Sequence, residues 1–155
     1  MSDPPKRLLI VYHSQTGHTH AMAKAVLRGA RRVQGVETRL KMALRAGLED
    51  LLGAQALLLG TPENFGYMSG AMKNFLDRTY YPAQGQVNGL PYAVFISAGN
   101  DGTGALNSIE RIARGYPFKP VCDPIIARGD VTTGILQQCE ELGETMASGL
   151  AWGIF

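Results

Sequence analysis

The residues best suited to chemistry in this chain of 155 residues fall in three short polar segments, each of which follows an apolar run. The first segment, HSQTGHT at 13–19, offers the hydroxyl groups of Ser14, Thr16 and Thr19 as hydrogen-bond donors. Gly17 permits close backbone approach and a positive φ. A helix that begins here would add free N–H groups and the positive end of its dipole. The segment therefore predicts an anion site, although a Ser- and Thr-rich helix cap would have the same composition.

The charge of this first segment narrows the kind of anion. It contains no Lys or Arg, and the nearest cation along the chain is Lys24, so its donors would be neutral, with His18 or His20 assisting. Catalysis on a triphosphate needs a cation clamp and carboxylates for a metal, and the segment is neither a Walker loop nor a GxGxxG fingerprint. A monophosphate that stays bound is the anion that this composition favours.

The second segment, TPENFGYMS at 61–69, combines loop aromatics with polar side chains. Phe65 and Tyr67 would be costly to expose, and stacking on a conjugated ring would explain them. Packing of both rings on the following helix is an equal alternative. Thr61 and Pro62 would stiffen the turn. Glu63 and Asn64 could hydrogen-bond the edges of a ring, and Gly66 would let the backbone approach a flat ligand.

The third segment, SAGNDGTG at 97–104, is rich in small residues that allow a backbone wall against a ligand. Ser97 and Asn100 can donate hydrogen bonds to ring carbonyls, whereas Asp101 is as readily a cap of the next helix. Taken together, the three segments describe a site for a phosphate, a chain of hydroxyls and a flat polar heterocycle. FMN has that shape.

The elements that must position these segments alternate between strand and helix. Apolar or alternating runs predict strands at 7–12, 36–42, 55–60, 91–97 and, interrupted by Pro124, 119–127. Apolar stripes predict helices at 17–32, 48–52, 69–81, 103–114 and 133–151. The third helix is expected to begin after Ser69 as N-cap and to break at Tyr80-Tyr81-Pro82.

This alternation predicts an α/β three-layer sandwich, a five-stranded parallel sheet with helices on both faces, in a single domain of residues 1–155. Loops after the first, third and fourth strands of a doubly wound sheet meet at its carboxyl edge, where ligands bind. The three polar segments occupy those loops.

The same residues resemble a known family. HSQTGHT after LLIVY resembles the FMN phosphate loop of flavodoxins. LLLGTPENFGYMSGAMKNFLDRTY resembles the corresponding segment of flavodoxin-like NAD(P)H:quinone reductases, including the tryptophan-repressor-binding-protein type. The resemblance covers most of the chain, is most specific at 8–19 and 57–79, and implies a sheet of order 2-1-3-4-5 with FMN as cofactor.

The resemblance also implies which residues hold the cofactor. Phosphate contacts would come from the first segment, and ring contacts from the second and third. The predicted FMN site comprises Ser14, Gln15, Thr16, Gly17, His18, Thr19, Thr61, Pro62, Glu63, Asn64, Phe65, Gly66, Ser97, Gly99 and Asn100.

The sequence leaves two main functions open. A third and less favoured alternative is a binding or regulatory module that uses FMN structurally or binds another phosphorylated ligand. In the first, an oxidoreductase passes electrons from NAD(P)H through FMN to a quinone or similar acceptor. The cofactor carries that chemistry, so no catalytic residue is named. In the second, a one-electron carrier docks on redox partner proteins. A carrier would be expected to cluster acidic residues around the flavin, and only Glu63 and Asp101 lie in the three segments.

Composition limits the remaining classes. A net charge of +2 without a recognisable module argues against a nucleic-acid partner, and no apolar run is long enough to predict a membrane span. Cys122 and Cys139 form neither a CxxC pair nor a disulfide framework, which favours a cytoplasmic location, and the histidine spacing does not predict a metal site. A homo-oligomer is conceivable through the apolar segments 80–82 and 152–155. A C-terminal Trp and Phe that cover the core are the alternative.

Overall fold

The computed structural model describes residues 4–155, so the first three residues of the predicted domain lie outside it. Its strands are β1 (Lys6–Tyr12), β2 (Val36–Met42), β3 (Ala56–Asn64), β4 (Tyr67–Met68), β5 (Leu90–Ala98), β6 (Phe118–Pro120) and β7 (Ile125–Arg128). Its helices are α1 (His18–Ala30), α2 (Leu48–Leu52), α3 (Gly70–Ala83), α4 (Thr103–Gly115) and α5 (Thr133–Ala151).

The sheet has the predicted parallel order. β2, β1, β3 and β5 lie side by side, and β6 and β7 both pair with the outer edge of β5. Tyr92 is opposite Pro120 and Phe95 is opposite Ile125, so β6 and β7 are two halves of the fifth strand. The intervening residues include Pro124, which has no N–H for a ladder. The predicted order 2-1-3-4-5 is confirmed, with the fifth strand interrupted as expected.

Two hydrophobic clusters hold the layers together, one on each face of the sheet. Alternate residues of β1 point to opposite faces, so Leu8 and Ile10 pack with α1 and α5, whereas Leu9 and Val11 pack with α3 and α4. α1 and α5 approach closely at Gly143, which has no side chain. A Cβ added there would lie 2.0 Å from the carbonyl oxygen of Val26. The central strands are therefore fixed from both sides, and with them the loops at their carboxyl ends.

Helix α3 and strand β3 both run further than the sequence indicated. The predicted break of α3 at residues 80–82 is wrong, since the helix continues through Pro82 to Ala83. In the last turn Pro82 removes only one helical hydrogen bond, and its own carbonyl accepts a bond from the Gln86 side chain at 2.9 Å. β3 reaches Asn64 because its end pairs antiparallel with β4, a short return strand that was not predicted.

The C-terminal residues divide between core and solvent. Phe155 packs against the cluster under α1 and α5, whereas Trp152 and Ile154 are 75% and 67% exposed. The expectation that both aromatic residues cover the core is therefore wrong for Trp152. Within residues 4–155, no helix is both long enough and apolar enough to cross a membrane.

Candidate functional site

A cleft of about 290 Å³ opens where β1, β3 and β5 end. All three predicted segments contribute to its wall, because the carboxyl ends of neighbouring parallel strands meet at one edge of the sheet. The residues that line it are Gln15, Thr16, His18, Pro62, Glu63, Asn64, Ser97, Ala98, Gly99, Gly129 and Asp130.

The first segment forms a turn that presents the start of α1 to solvent. Gly17 has a φ of 98°, and its N–H donates to the Ser14 hydroxyl oxygen at 3.1 Å. Its carbonyl then accepts the first helical bond, from the Ala21 N–H at 3.0 Å. No side chain of the described residues caps α1, and no acidic residue occupies its first turn. The N–H groups of residues 18–20 are thus open to an anion.

A buried pair of hydroxyl groups joins the first segment to the third. The hydroxyl oxygens of Thr19 and Ser97 are 2.7 Å apart, and the two residues are 1% and 6% exposed. One hydroxyl donates to the other, so neither is buried without a hydrogen-bond partner. The pair fixes the first turn of α1 against the end of β5, so the phosphate-binding and ring-binding parts predicted from sequence are physically connected.

Buried hydrogen bonds of Thr61 stabilise the second segment. The residue is fully buried, and its hydroxyl accepts from the Ser69 N–H at 3.0 Å and donates to the Pro62 carbonyl at 2.8 Å. Ser69 in turn accepts from the Met72 N–H at 3.2 Å, which confirms the predicted N-cap of α3. The two ends of the 61–69 segment are therefore held together by side chains of the segment itself.

Glu63 ties the second segment to the third. Its two carboxylate oxygens accept from the Gly102 and Ala105 N–H groups at 3.0 and 3.1 Å, so it caps α4 from another loop. The alternative that Asp101 caps this helix is wrong, because the Asp101 carboxylate accepts from the Thr103 hydroxyl at 2.6 Å. A cap from 39 residues away could not be read from sequence spacing.

The tip of the β3–β4 hairpin combines positive φ values with full exposure. Phe65 has a φ of 52° and Gly66 a φ of 73°, as in a type I′ turn. Such a turn favours Asn or Gly, and a bulky residue with positive φ is strained. Phe65 is nonetheless fully exposed, so the alternative that it packs on the following helix is wrong; Tyr67 is 42% exposed.

The fifth strand supplies residues that the sequence reasoning missed. Gly129 and Asp130 follow β7 and line the cleft. Gly129 has a φ of 81°, and its N–H donates to the Ala98 carbonyl at 2.8 Å, which brings the loop beside the third segment. A Gly-Asp pair one residue beyond the predicted strand at 119–127 was a usable signal, because the other loops of the cleft also carry small and polar residues after a strand.

Some predicted residues lie beside the cleft without lining it. Ser14 and Gly17 shape the first turn, Thr19 and Thr61 are buried under the loops, and Phe65 sits at the hairpin tip with Gly66. Asn100 is exposed outside the lining.

Three histidines, His13, His18 and His20, lie in or next to the first segment. The Nδ1 atom of His13 is buried without a hydrogen-bond partner in the described part of the chain, and burial lowers the pKa of this side chain. The His20 ring stacks on Tyr12 with centroids 5.5 Å apart, and His18 lines the cleft. Among residues 4–155, no cluster of His, Cys, Asp and Glu could hold a metal ion.

The chain is similar in sequence and in structure to flavodoxins, and in sequence to a quinone dehydrogenase. The chain is 39% identical over 98 residues to a protein named flavodoxin from Aquifex aeolicus, covering 63% of this chain and 53% of that protein, so it spans about half the length of this relative. It is 34% identical over 157 residues to a protein named NAD(P)H dehydrogenase (quinone) from Acidithiobacillus ferrooxidans, covering 88% and 74% respectively. A solved archaeal flavodoxin superposes with a TM-score of 0.81 at 26% identity, covering 94% of this chain and 99% of that one.

The family assignment follows from these matches and from the fold. Residues 34–116 match the family described as NADPH-dependent FMN reductase. This match covers more than half of the chain, and the relative at 34% identity covers most of it. The chain therefore belongs to this flavodoxin-like family of FMN-binding proteins.

Proposed function

We propose that the cleft at the carboxyl edge binds FMN and that the chain is an oxidoreductase, passing electrons from NAD(P)H through FMN to a quinone-like acceptor. The observation that carries the proposal is the convergence of three loops from β1, β3 and β5 on one cleft, with the uncapped start of α1 at its side. Bound FMN would supply the redox chemistry, and the protein would supply binding, orientation and electrostatics.

The phosphate end is assigned to the segment 14–19. Open N–H groups at the start of a helix and the hydroxyl of Thr16, exposed in the cleft, suit a phosphate without a cation clamp. The Ser14 and Thr19 hydroxyls are engaged in holding the turn and the first turn of α1. Their role is therefore to shape the cradle, and any contact they make with phosphate adds to that.

The ring end is assigned to the hairpin and the loops after β5 and β7. Pro62, Asn64 and Gly99 line this part of the cleft, and a flat heterocycle there would give the exposed Phe65 ring a partner. A volume of about 290 Å³ is near the lower end of the range for small-molecule clefts, which suits a ligand that stays partly open to its reaction partners.

The choice of donor and acceptor rests on the relatives. The family description names NADPH, and the relative at 34% identity is named for NAD(P)H and quinone. Its alignment is longer than this chain while covering 88% of it, so that relative carries extra residues inside the matched region. The acceptor is therefore given only as a class, a small oxidised molecule of quinone type.

A one-electron carrier is the second candidate, since two of the three relatives described above are flavodoxins. One experiment distinguishes the two functions. The protein is loaded with FMN, and riboflavin serves as a matched ligand without phosphate; tighter binding of FMN is expected. The loaded protein is then mixed anaerobically with NADH or NADPH, and flavin absorbance is followed before and after a quinone is added.

Each outcome has a defined meaning. Rapid bleaching by a nucleotide and rapid recovery with quinone support the reductase. Bleaching no faster than with buffer, in protein that dithionite reduces, overturns the reductase in favour of the carrier. Failure to bind FMN, or equal binding of riboflavin, overturns the assignment of the cleft.

A further inference from the structure

The charge of the cleft at the carboxyl edge is unfavourable for a phosphate unless one of its residues becomes positive. The described residues that line it include the carboxylates Glu63 and Asp130 but no Lys or Arg. A phosphate monoester carries about 1.5 to 2 negative charges at pH 7. Of these lining residues, only His18 can add a positive charge, and histidine changes its charge near neutral pH.

The two carboxylates of the cleft are not equivalent. Both oxygens of Glu63 accept from N–H groups at the start of α4, so the positive end of that helix compensates part of its charge. Asp130 is exposed and forms no ion pair with another residue of the range 4–155. Exposed charges act on one another within a Debye length, which is about 10 Å at 0.1 M salt. The Asp130 carboxylate therefore opposes an anion in this cleft more than Glu63 does.

Contacts within the protein place His18 and Asp130 at the cleft. His18 is the first residue of α1, and Thr19, the next residue, is joined to the end of β5 through its hydroxyl at 2.7 Å. Asp130 follows Gly129, whose N–H donates to the Ala98 carbonyl at 2.8 Å. A histidine at the first position of a helix can place its imidazole beside an anion that the N–H groups of that helix bind.

Other charged and titratable groups near the first turn of α1 and the loop after β7 lie outside the lining of the cleft. Burial lowers the pKa of His13, and the ring of His20 is stacked on an aromatic ring of β1. Lys24 is exposed further along α1. The guanidinium of Arg128 donates to the Asp101 carbonyl at 2.8 Å, beside the third segment. None of the groups in this set that titrate near neutral pH lines the cleft.

We propose that His18 and Asp130 make the binding of FMN depend on pH: the His18 imidazolium binds the phosphate, and the Asp130 carboxylate weakens that binding. This inference rests on the proposed binding of FMN in the cleft. The hydrogen bond from an imidazolium to a phosphate is charge-assisted, so the complex favours the protonated ring and FMN binding takes up a proton. FMN is accordingly held more tightly at pH 6.5 than at pH 8.5.

The first test measures the affinities of FMN and riboflavin from pH 6.5 to pH 8.5. If protonation strengthens phosphate binding about tenfold, the Kd of FMN should rise about fivefold over this range, and that of riboflavin should stay constant. His18→Gln should remove this pH dependence, and His20→Gln, on the same helix, should keep it. FMN binding that is tighter than riboflavin binding but independent of pH overturns this inference alone. Equal binding of the two ligands overturns the FMN site as well.

A second measurement needs no variant. FMN is titrated calorimetrically into the wild-type protein at pH 7.5, in two buffers that differ in their enthalpy of ionisation. For the same tenfold preference, binding should take up about 0.4 of a proton per FMN and none per riboflavin. Binding of FMN without proton uptake overturns the contact between the His18 imidazolium and the phosphate.

The role of Asp130 is tested at pH 8.5. Asp130→Asn should bind FMN about threefold more tightly and leave riboflavin binding unchanged, because only FMN carries the phosphate charge. The matched control is Asp123→Asn, since Asp123 is an exposed aspartate that precedes β7 as Asp130 follows it. Unchanged FMN affinity in Asp130→Asn, an equal effect on riboflavin, or an equal effect of Asp123→Asn overturns this role.

Discussion

The segment 14–19 and the β3–β4 hairpin border the same cleft, but they obtain their shapes in different ways. The first segment is supported from within the fold: Gly17 accommodates its positive φ, and Thr19 is bonded to Ser97 beneath it. The hairpin tip places a phenylalanine at a positive φ and leaves its ring in solvent. The first segment is held by contacts within the protein, whereas the hairpin tip leaves an apolar ring exposed at a strained backbone position.

Because of this difference, the two sides should respond differently to mutation. On the side proposed to bind phosphate, here called the phosphate side, stability and binding are expected to depend on the same contacts, so a change that weakens one should weaken the other. At the hairpin tip, the residue proposed to bind also strains the backbone, so stability and binding should change in opposite directions. Four experiments test this difference between the two sides of the cleft.

The largest effect is expected where the hairpin rests on α4. A Cβ added to Gly104 would lie 2.2 Å from the carbonyl oxygen of Gly66, and neither backbone can move without shifting an element. Gly104→Ala should reduce the free energy of unfolding by about 3 kcal/mol and weaken FMN binding. Urea unfolding and FMN titration measure the two effects.

The matched control for this change is Gly134→Ala. Gly134 is likewise the second residue of its helix, and its added Cβ would meet nothing closer than 3.8 Å. It should leave FMN binding unchanged and stability equal or slightly higher. If Gly104→Ala behaves like Gly134→Ala, the hairpin is not held by α4.

The second effect concerns the hydroxyl pair on the phosphate side. Thr19→Val leaves the Ser97 hydroxyl buried without a partner and should cost about 2 kcal/mol of stability, with a parallel loss of FMN affinity. Thr19→Val combined with Ser97→Ala removes both hydroxyls and should cost less than the single change. A double variant at least as unstable as the sum of the singles would show that the pair does not act together.

The third effect tests the opposite signs expected at the hairpin tip. Phe65→Asn places a residue suited to a type I′ turn and should raise the free energy of unfolding by about 1 kcal/mol. The same change should weaken FMN binding about tenfold through the lost stacking. Tyr81→Asn, at an aromatic residue 77% exposed near the end of α3, is the control and should not alter FMN affinity. Lower stability in Phe65→Asn would contradict the strain at this turn.

The smallest effect is a pH dependence on the phosphate side. Burial lowers the pKa of His13 below 6.5, so the folded chain binds this proton less tightly than the unfolded chain. The contribution of His13 to stability is therefore complete above a pH of about 6.5 and is lost as the pH falls through the lowered folded value. Melting temperatures of wild type and His13→Gln should diverge from pH 7 downward, with the wild type losing more. Parallel curves would contradict this.

Much of the fold could be read from local pattern. The strand at Val36–Met42 and the helix at Thr133–Ala151 begin and end where hydrophobic periodicity places them, because the alternation of polar and apolar side chains repeats with the period of the element. Pro124 indicated the interruption of the fifth strand, since proline removes a ladder donor wherever it occurs. The end of α3 was misjudged because Pro82 is tolerated in a last turn.

The site also has features that follow from local sequence pattern and features that do not. Which three loops meet could be predicted from the sequence, because strand order and the rule for carboxyl ends depend on local pattern and chirality. The partners of Thr19 and Glu63 and the exposure of Phe65 could be known only from the tertiary structure. These properties depend on atoms that are distant along the chain and are brought within about 3 Å by packing of whole elements, so no local spacing encodes them.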